Sequence, residues 1–177
     1  ILVIALACRE SARFDLSSGG VVAFYLATYL PMTVLGFLGL GLMRANGLGE
    51  DIKDFTGLAK RNPLLALLMT ISFASLAGLP LTAGFLGKLF VFLGLADHGY
   101  WGAMSCAVIA AAAGFYYYFK TILAMYTTEG TDVPALTFSV PAKAVAGALA
   151  LVILILGVYP KPLQSVLTSD RAAVVAK

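Results

Sequence analysis

Lys88 is the side chain of this 177-residue chain that is best placed to do chemistry. It is the single ionisable residue in an apolar stretch of 35 residues, 62–96. Insertion scales put a lysine at the centre of a membrane helix at roughly 2.5 to 3.5 kcal/mol unfavourable, and such residues commonly mark ion and proton pathways. The chemistry that this position indicates is proton transfer.

Desolvation is what would give Lys88 this ability. Burial disfavours the charged ammonium form, so the amine can both accept and release a proton near neutral pH, as a relay requires. The alternative is a fixed ammonium that forms an ion pair or caps the carbonyl groups of a broken helix. No acidic residue lies within the apolar segments of the sequence to pair with it, and we therefore expect the relay.

Lys120 is the second candidate relay. It interrupts another apolar segment, six residues before Tyr126. Its long aliphatic stem can carry the ammonium to the membrane surface. Alternatively, the side chain faces the bundle, where two like charges would each disfavour protonation of the other. We interpret His98, in a turn beside Asp97, as a solvated surface residue rather than a ligand or relay.

The elements that must position these lysines are membrane helices. The chain is 60% hydrophobic and 12% charged, with a mean hydropathy of +0.93, which is far from the composition of a soluble domain. Apolar stretches of about 20 residues, enough to cross a core of about 30 Å, recur between polar loops. The sequence predicts an all-α fold, a polytopic transmembrane helix bundle in a single domain, 1–177.

The predicted spans follow one another along the whole chain. They are 1–7 (truncated), 20–43, 64–96, 100–126 and 144–159. The chain begins inside the first of them without an initiator methionine, and we expect it to be part of a longer protein.

The span 64–96 is predicted to be discontinuous. A single straight helix of this length would measure about 50 Å, well beyond a core of about 30 Å. Two half-helices, 64–77 and 88–96, would cross the core and leave 78–87 over, with Lys88 at the edge of the break near the midplane. The residues of that segment that permit an unwound backbone are Gly78, Pro80, Gly84 and Gly87.

The charged residues predict the orientation of the bundle. Loops 44–61 and 127–143 hold five lysines and arginines, and loops 9–19 and 97–99 hold two. The positive-inside rule therefore places the first pair in the cytoplasm and the C-terminus on the outer face.

Composition also argues against several other classes of partner. The net charge of +3 is spread over loops, so we expect the lipid bilayer and no nucleic acid as a partner. Cys8 and Cys106 are isolated, and we interpret both as small buried hydrophobes rather than as a disulfide or metal ligands.

Three segments together resemble a known family. They are Ser75–Phe90 (SLAGLPLTAGFLGKLF), Gly114–Lys120 (GFYYYFK) and Gly157–Leu163 (GVYPKPL). These segments resemble the C-terminal part of the antiporter-like membrane subunits of respiratory complex I, NADH:quinone oxidoreductase. The triple tyrosine and the short tail are most similar to subunit N, the bacterial counterpart of mitochondrial subunit 2.

The resemblance implies a fourteen-helix protein with two inverted five-helix repeats, of which this chain would hold the last four helices and the end of a fifth. It implies that Lys88 is the outer member of a chain of buried charges that carries protons across the membrane, driven by quinone reduction elsewhere. Lys120 falls where the family often has a basic residue. The other buried charges of the family have no positions here, so the chain would carry only the exit half of the channel.

The expected function is therefore that of a proton-translocating subunit of NADH:quinone oxidoreductase in the bacterial inner membrane. Its partners would be the other membrane subunits of complex I. No nucleotide, flavin, iron–sulfur or metal signature is found, so partner subunits would bind NADH, flavin, iron–sulfur clusters and quinone. The alternatives are a cation/proton antiporter or a membrane-bound hydrogenase-type subunit, which share the half-channel, and a purely structural bundle.

Overall fold

The structure, a computed structural model, describes residues 18–127 and 139–165, and helices make up most of both ranges. The predicted span 1–7 and Cys8 lie outside the described residues. The helices are α1 (Ser18–Ala45), α2 (Leu58–Arg61), α3 (Pro63–Ala77), α4 (Ala83–Asp97), α5 (Trp101–Tyr126) and α6 (Val140–Val158), with a 3₁₀ turn at Ile52–Phe55. The described part of the chain contains no strand, and the predicted all-α fold is confirmed.

Three of the described helices are long and apolar enough to cross a membrane, namely Gly19–Ala45, Trp101–Tyr126 and Val140–Val158. The helices α3 and α4 have 15 residues each. At 1.5 Å per residue, each is about 22 Å long and too short to cross a core of about 30 Å alone. The two form one discontinuous helix, as predicted for this polytopic bundle.

Local sequence signals set both ends of α3. The side chain of Asn62 accepts a hydrogen bond from the backbone N–H of Leu65 at 2.8 Å. Pro63 follows at the first helical position, where a missing N–H does no harm. Gly78 ends the helix with φ of 89°, a left-handed conformation that glycine adopts without steric penalty.

The break between the half-helices is shorter than predicted. The expectation that it extends through Gly84 and Gly87 is wrong, because both lie within α4, which begins at Ala83. The length estimate assumed half-helices placed end to end. In the structure, the N–H of Gly84 donates to Ser75 Oγ at 3.1 Å, so the first turn of α4 lies beside the last turn of α3. This overlap takes up the surplus length.

Gly84 and Gly87 allow neighbouring helices to pack closely, and they do not provide an unwound backbone. A Cβ atom on Gly84 would collide with the carbonyl oxygen of Ser75 in α3. A Cβ atom on Gly87 would lie 3.1 Å from Thr28 Oγ1 and 3.3 Å from Tyr25 Cδ2, both in α1. Small residues allow such close approach of membrane helices.

The helices α1 and α3 form the centre of the bundle. Helix α1 packs against α3, α4 and α6, and α5 packs against α3 and α4. Inside the bundle, Ser72 Oγ of α3 donates to the carbonyl oxygen of Met32 in α1 at 2.6 Å. This buried hydrogen bond joins the two central helices at a point where both backbones lie close together.

Helix α5 is exposed over most of its surface. Its buried residues, Ala107, Ile122 and Met125, mark the side that packs on the bundle. Cys106 lies on the exposed side, and the interpretation of this residue as a buried hydrophobe is wrong. A uniformly apolar helix gives no sequence signal of which face is covered, so the error has a simple origin.

The C-terminal part of α6 covers the break. A Cβ atom on Gly157 would collide with the carbonyl oxygen of Leu81 and would lie 2.6 Å from Thr82 Cα. Leu81 has φ of 72°, a left-handed backbone that a leucine adopts only under strain. The fit of Gly157 against this backbone therefore helps to hold the strained connection between α3 and α4.

We expect Gly157→Ala to destabilise the protein by about 1–3 kcal/mol, the range for overpacking a tight contact. The alanine methyl group meets backbone atoms, which cannot move aside as a flexible side chain can. The thermal unfolding midpoint of the detergent-solubilised protein measures the effect. Gly147→Ala is the matched control, since nothing lies within 4 Å of that position on the same helix. Equal midpoints for the two variants would contradict the packing role.

Candidate functional site

Lys88 extends from α4 back across the break to the end of α3. Its Nζ atom donates hydrogen bonds to the carbonyl oxygens of Leu76 at 2.8 Å and Ala77 at 2.9 Å. These carbonyls belong to the last turn of α3 and have no partner within the helix. Lys88 thus makes the capping contact that the sequence analysis gave, beside an ion pair, as the alternative to a relay.

Backbone dipoles surround the lysine rather than carboxylate groups. The C-terminus of a helix carries a partial negative charge that favours a nearby cation. Acidic residues in the described ranges are confined to 50–54 and Asp97, and the hydrogen bonds of Lys88 go to backbone oxygens. A Cβ atom on Gly78 would lie 3.2 Å from Lys88 Nζ, so glycine at this position leaves room for the amine.

A cavity of about 220 Å³ lies beside Lys88, between α1, α3, α4 and α5. Water occupies about 30 Å³ per molecule in the liquid, so the space is sufficient for several molecules. The polar side chains that line the cavity with Lys88 are Tyr25, Thr28, Tyr29, Ser75 and Tyr118. A half-buried lysine in such a cavity has hydrogen-bonding groups within reach to exchange protons through water.

Lys120 does not join Lys88 in this structure. It is exposed on α5 and is absent from the lining of the cavity, whereas Gly114 and Tyr118 of the same helix line it. Lys120 is thus outside the packed side of α5 within the described residues. A relay role for Lys120 stays a prediction.

His98 has a local structural contact. One ring nitrogen, Nδ1, hydrogen-bonds to the carbonyl oxygen of Gly94 at 2.9 Å, and the ring stacks on Tyr100 at 6.5 Å. The histidine therefore caps the C-terminal end of α4, and it is not among the residues that line the cavity.

Sequence reasoning missed Tyr25 and Tyr29 of the site, and it favoured packing over a polar path for the triple tyrosine 116–118. Tyr25 and Tyr29 are four residues apart on α1, and their rings stack at 5.8 Å. Within the triple tyrosine, Tyr118 is partly buried and stacks on Phe73 at 5.9 Å, while the two tyrosines before it are exposed. The spacing of Tyr25 and Tyr29 was the one signal that could have placed them on a single face.

These features define a class of polytopic membrane protein in which a lysine lies at a helix break inside the bundle. The sequence profile of the NADH:quinone oxidoreductase/Mrp antiporter transmembrane family matches residues 15–114. The chain belongs to this family.

Individual relatives are similar over most of the chain. NADH-quinone oxidoreductase subunit N 2 of Solibacter usitatus is 37% identical over 143 residues, which cover 80% of this chain and 29% of the relative. The respiratory complex I structure from Thermus thermophilus with bound aureothin contains a similar chain, with TM-score 0.66 and 28% identity over 93% of this chain and 42% of that one.

A second solved structure is similar in fold. The Mrp complex from Dietzia sp. DQ12-45-1b contains a chain with TM-score 0.77 and 20% identity, and the match covers 94% of this chain and 39% of that chain. At this identity, the likeness shows the fold alone.

We expect Gly84→Ala to separate α4 from α3, because the added methyl group would meet the backbone of Ser75. A displacement at this point also moves Lys88 away from the carbonyl groups that it caps. The thermal unfolding midpoint of the detergent-solubilised protein should fall, by an amount that corresponds to about 1–3 kcal/mol.

Gly94→Ala is the control for this variant, because Gly94 lies on the same helix with nothing within 4 Å. In an exposed helix interior, alanine is favoured over glycine by about 1 kcal/mol, so the control should be neutral or stabilising. A Gly84→Ala protein as stable as the control would show that the two half-helices do not overlap as described.

Proposed function

We propose that Lys88 is a proton relay in the C-terminal half-channel of a subunit N-like protein of NADH:quinone oxidoreductase. The observation that carries the proposal is the position of Lys88, whose Nζ atom caps the end of α3 and which lines a cavity together with several polar side chains. The identity to relatives named as subunit N supports the assignment of the complex.

Capping and relay are chemically compatible at this amine. A lysine ammonium has three N–H donors. Two of them are used by the carbonyl oxygens of Leu76 and Ala77. Loss of the third proton leaves a neutral amine that still donates two hydrogen bonds and gains a lone pair. Lys88 can therefore change its charge and keep both contacts.

Two effects of the surroundings act on the charge of Lys88 in opposite directions. Burial among apolar residues disfavours the ammonium, whereas the carbonyl dipoles at the end of α3 favour it. Such opposing effects allow a lysine to be protonated from one side and deprotonated to the other without a large barrier.

The remaining parts of the proposal concern the whole complex. The chain covers 29% of the length of the Solibacter relative and 42% of the chain in the Thermus structure. In the proposal, other membrane subunits of the complex pack against this chain. Partner subunits bind NADH, flavin, iron–sulfur clusters and quinone, and quinone reduction drives the protons.

A cation/proton antiporter is the second candidate function. The matching family profile, which covers both NADH:quinone oxidoreductase and Mrp antiporters, is compatible with it. The 37% identity to a relative named as subunit N favours the first candidate. The genes beside this one discriminate between them, because complex I and antiporter operons encode different sets of partners.

We expect Lys88→Arg to abolish proton pumping while the protein still assembles. Arginine keeps the charge and the N–H donors that cap α3, but it stays protonated at every physiological pH. Proton uptake by inverted membrane vesicles, divided by the rate of quinone reduction, measures the coupling. If the lysine is only a cap, the arginine variant will pump as the parent does.

Lys88→Ala removes both the cap and the relay, and it should lose pumping as well. Lys143→Arg is the matched control, because Lys143 is exposed at the start of α6 and the same substitution there should leave coupling unchanged. Full pumping by Lys88→Ala together with full quinone reduction would overturn the relay.

We propose further that the loop 46–62 lies on the cytoplasmic face and the C-terminus on the outer face. Lys53→Cys, made in a protein that also carries Cys8→Ser and Cys106→Ser, should react with a membrane-impermeant maleimide only in inverted vesicles. Asp97→Cys, at the C-terminal end of α4 and therefore on the other membrane face, should react only in right-side-out vesicles. The reverse pattern would invert the topology.

A further inference from the structure

A second cavity of about 210 Å³, open toward the outside of the described bundle, lies next to the cavity that contains Lys88. The two cavities share three lining residues, Tyr29, Leu76 and Tyr118. They are therefore neighbours, and these three side chains form the wall between them. Two of the three side chains carry hydroxyl groups.

The two cavities follow one another along α1. The lining residues that α1 contributes fall within 25–32 for the Lys88 cavity and within 29–40 for the second cavity. From residue 25 to residue 40, the helix rises by about 22 Å, most of a hydrocarbon core of about 30 Å. The second cavity thus extends from the Lys88 cavity toward the end of α1 at Ala45 and the loop 46–62.

Stacking holds the tyrosine rings of the wall in place. The ring of Tyr118 stacks on Phe73 with 28° between the planes, and the ring of Tyr29 stacks on Tyr25 with 13°. Such contacts restrict the rings but leave the hydroxyl hydrogens free to rotate. A phenol can donate one hydrogen bond and accept others, so it can join water on its two sides.

We propose that the hydroxyl groups of Tyr29 and Tyr118 form a proton-transfer bridge from the second cavity to Lys88. The second cavity is then an access path to the lysine from the face that carries the loop 46–62. This inference rests on the proposed relay function of Lys88. It adds an entry path from one membrane face to the exit half of the channel that the resemblance implies for this chain.

The proton balance of the bridge is simple. A proton that enters from the face carrying the loop 46–62 passes along water in the second cavity to a tyrosine hydroxyl oxygen, as that hydroxyl gives its own proton to water beside Lys88, and each water molecule ends neutral. The neutral amine of Lys88 takes up the last proton and becomes an ammonium. The tyrosine ends as it began, and no oxidant or reductant is required.

The triple tyrosine provides its own controls. Tyr116 and Tyr117 precede Tyr118 on the same helix but are 62% and 65% exposed, and neither lines a described cavity. A phenylalanine at Tyr118 keeps the ring and its stacking on Phe73 and removes only the hydroxyl. The comparison of Tyr→Phe at these three positions therefore isolates the contribution of the Tyr118 hydroxyl group.

The test measures the protons pumped per electron in vesicles that contain the intact complex. We expect Tyr118→Phe to lower proton uptake by about tenfold or more, since a positioned proton-transfer group contributes on the order of 10²–10⁴ in rate. The solvent deuterium isotope effect on proton uptake should increase, which a merely structural role would not cause. Tyr117→Phe and Tyr116→Phe should match the parent.

Tyr29→Phe provides an independent test on another helix, and it decides the outcome if Tyr118→Phe does not assemble. If both variants pump like Tyr117→Phe while Lys88→Arg does not pump, the bridge is wrong and the relay stands. If Lys88→Arg pumps like the parent, the relay fails, and the bridge, which rests on it, fails with it.

Discussion

The carbonyl groups at the end of α3 are the constraint on which the rest of the structure depends. In hydrocarbon, an unsatisfied backbone group costs several kcal/mol, so a helix can end there only if other donors take over. The N–H of Gly78 donates to the carbonyl oxygens of Ala74 and Ser75, and the N–H of Leu79 also donates to that of Ala74. Lys88 supplies the donors for the last two carbonyls. The last four carbonyl groups of α3 thus all have donors from within the chain.

The same contacts explain how the bundle tolerates a lysine without a carboxylate partner. Placing a lysine at the centre of a membrane helix costs roughly 2.5 to 3.5 kcal/mol. A hydrogen bond to a charged group contributes about 1.5–3 kcal/mol, and Lys88 makes two of them. Together the two bonds contribute about 3–6 kcal/mol, which offsets the cost of placing the lysine there. An ion pair with Asp or Glu would have fixed the charge instead.

The sequence predicts the start of this break but not its end. Gly78 follows a stretch of the right length for a half-helix, and its left-handed backbone is typical of a helix terminus. Gly84 and Gly87 have the same residue type but a different role, which depends on Ser75 in α3 and on Thr28 and Tyr25 in α1. Glycine content alone cannot separate backbone freedom from close packing, because the distinction lies in tertiary contacts. The burial of Tyr118 beside two exposed tyrosines depends on the same kind of contact.

The helix break and the cavity beside Lys88 also depend on each other. Irregular backbone at membrane depth persists only where protein covers it or where it lines a wet cavity. Here both conditions occur on different sides of one segment. Gly157 of α6 covers the backbone of Leu81 and Thr82. The flanking residues Ser75, Leu76, Gly84 and Lys88 line the cavity. A continuous helix would satisfy its own carbonyls and would leave Lys88 without its two acceptors. The discontinuity is therefore what allows a lysine to lie next to a cavity inside the bundle.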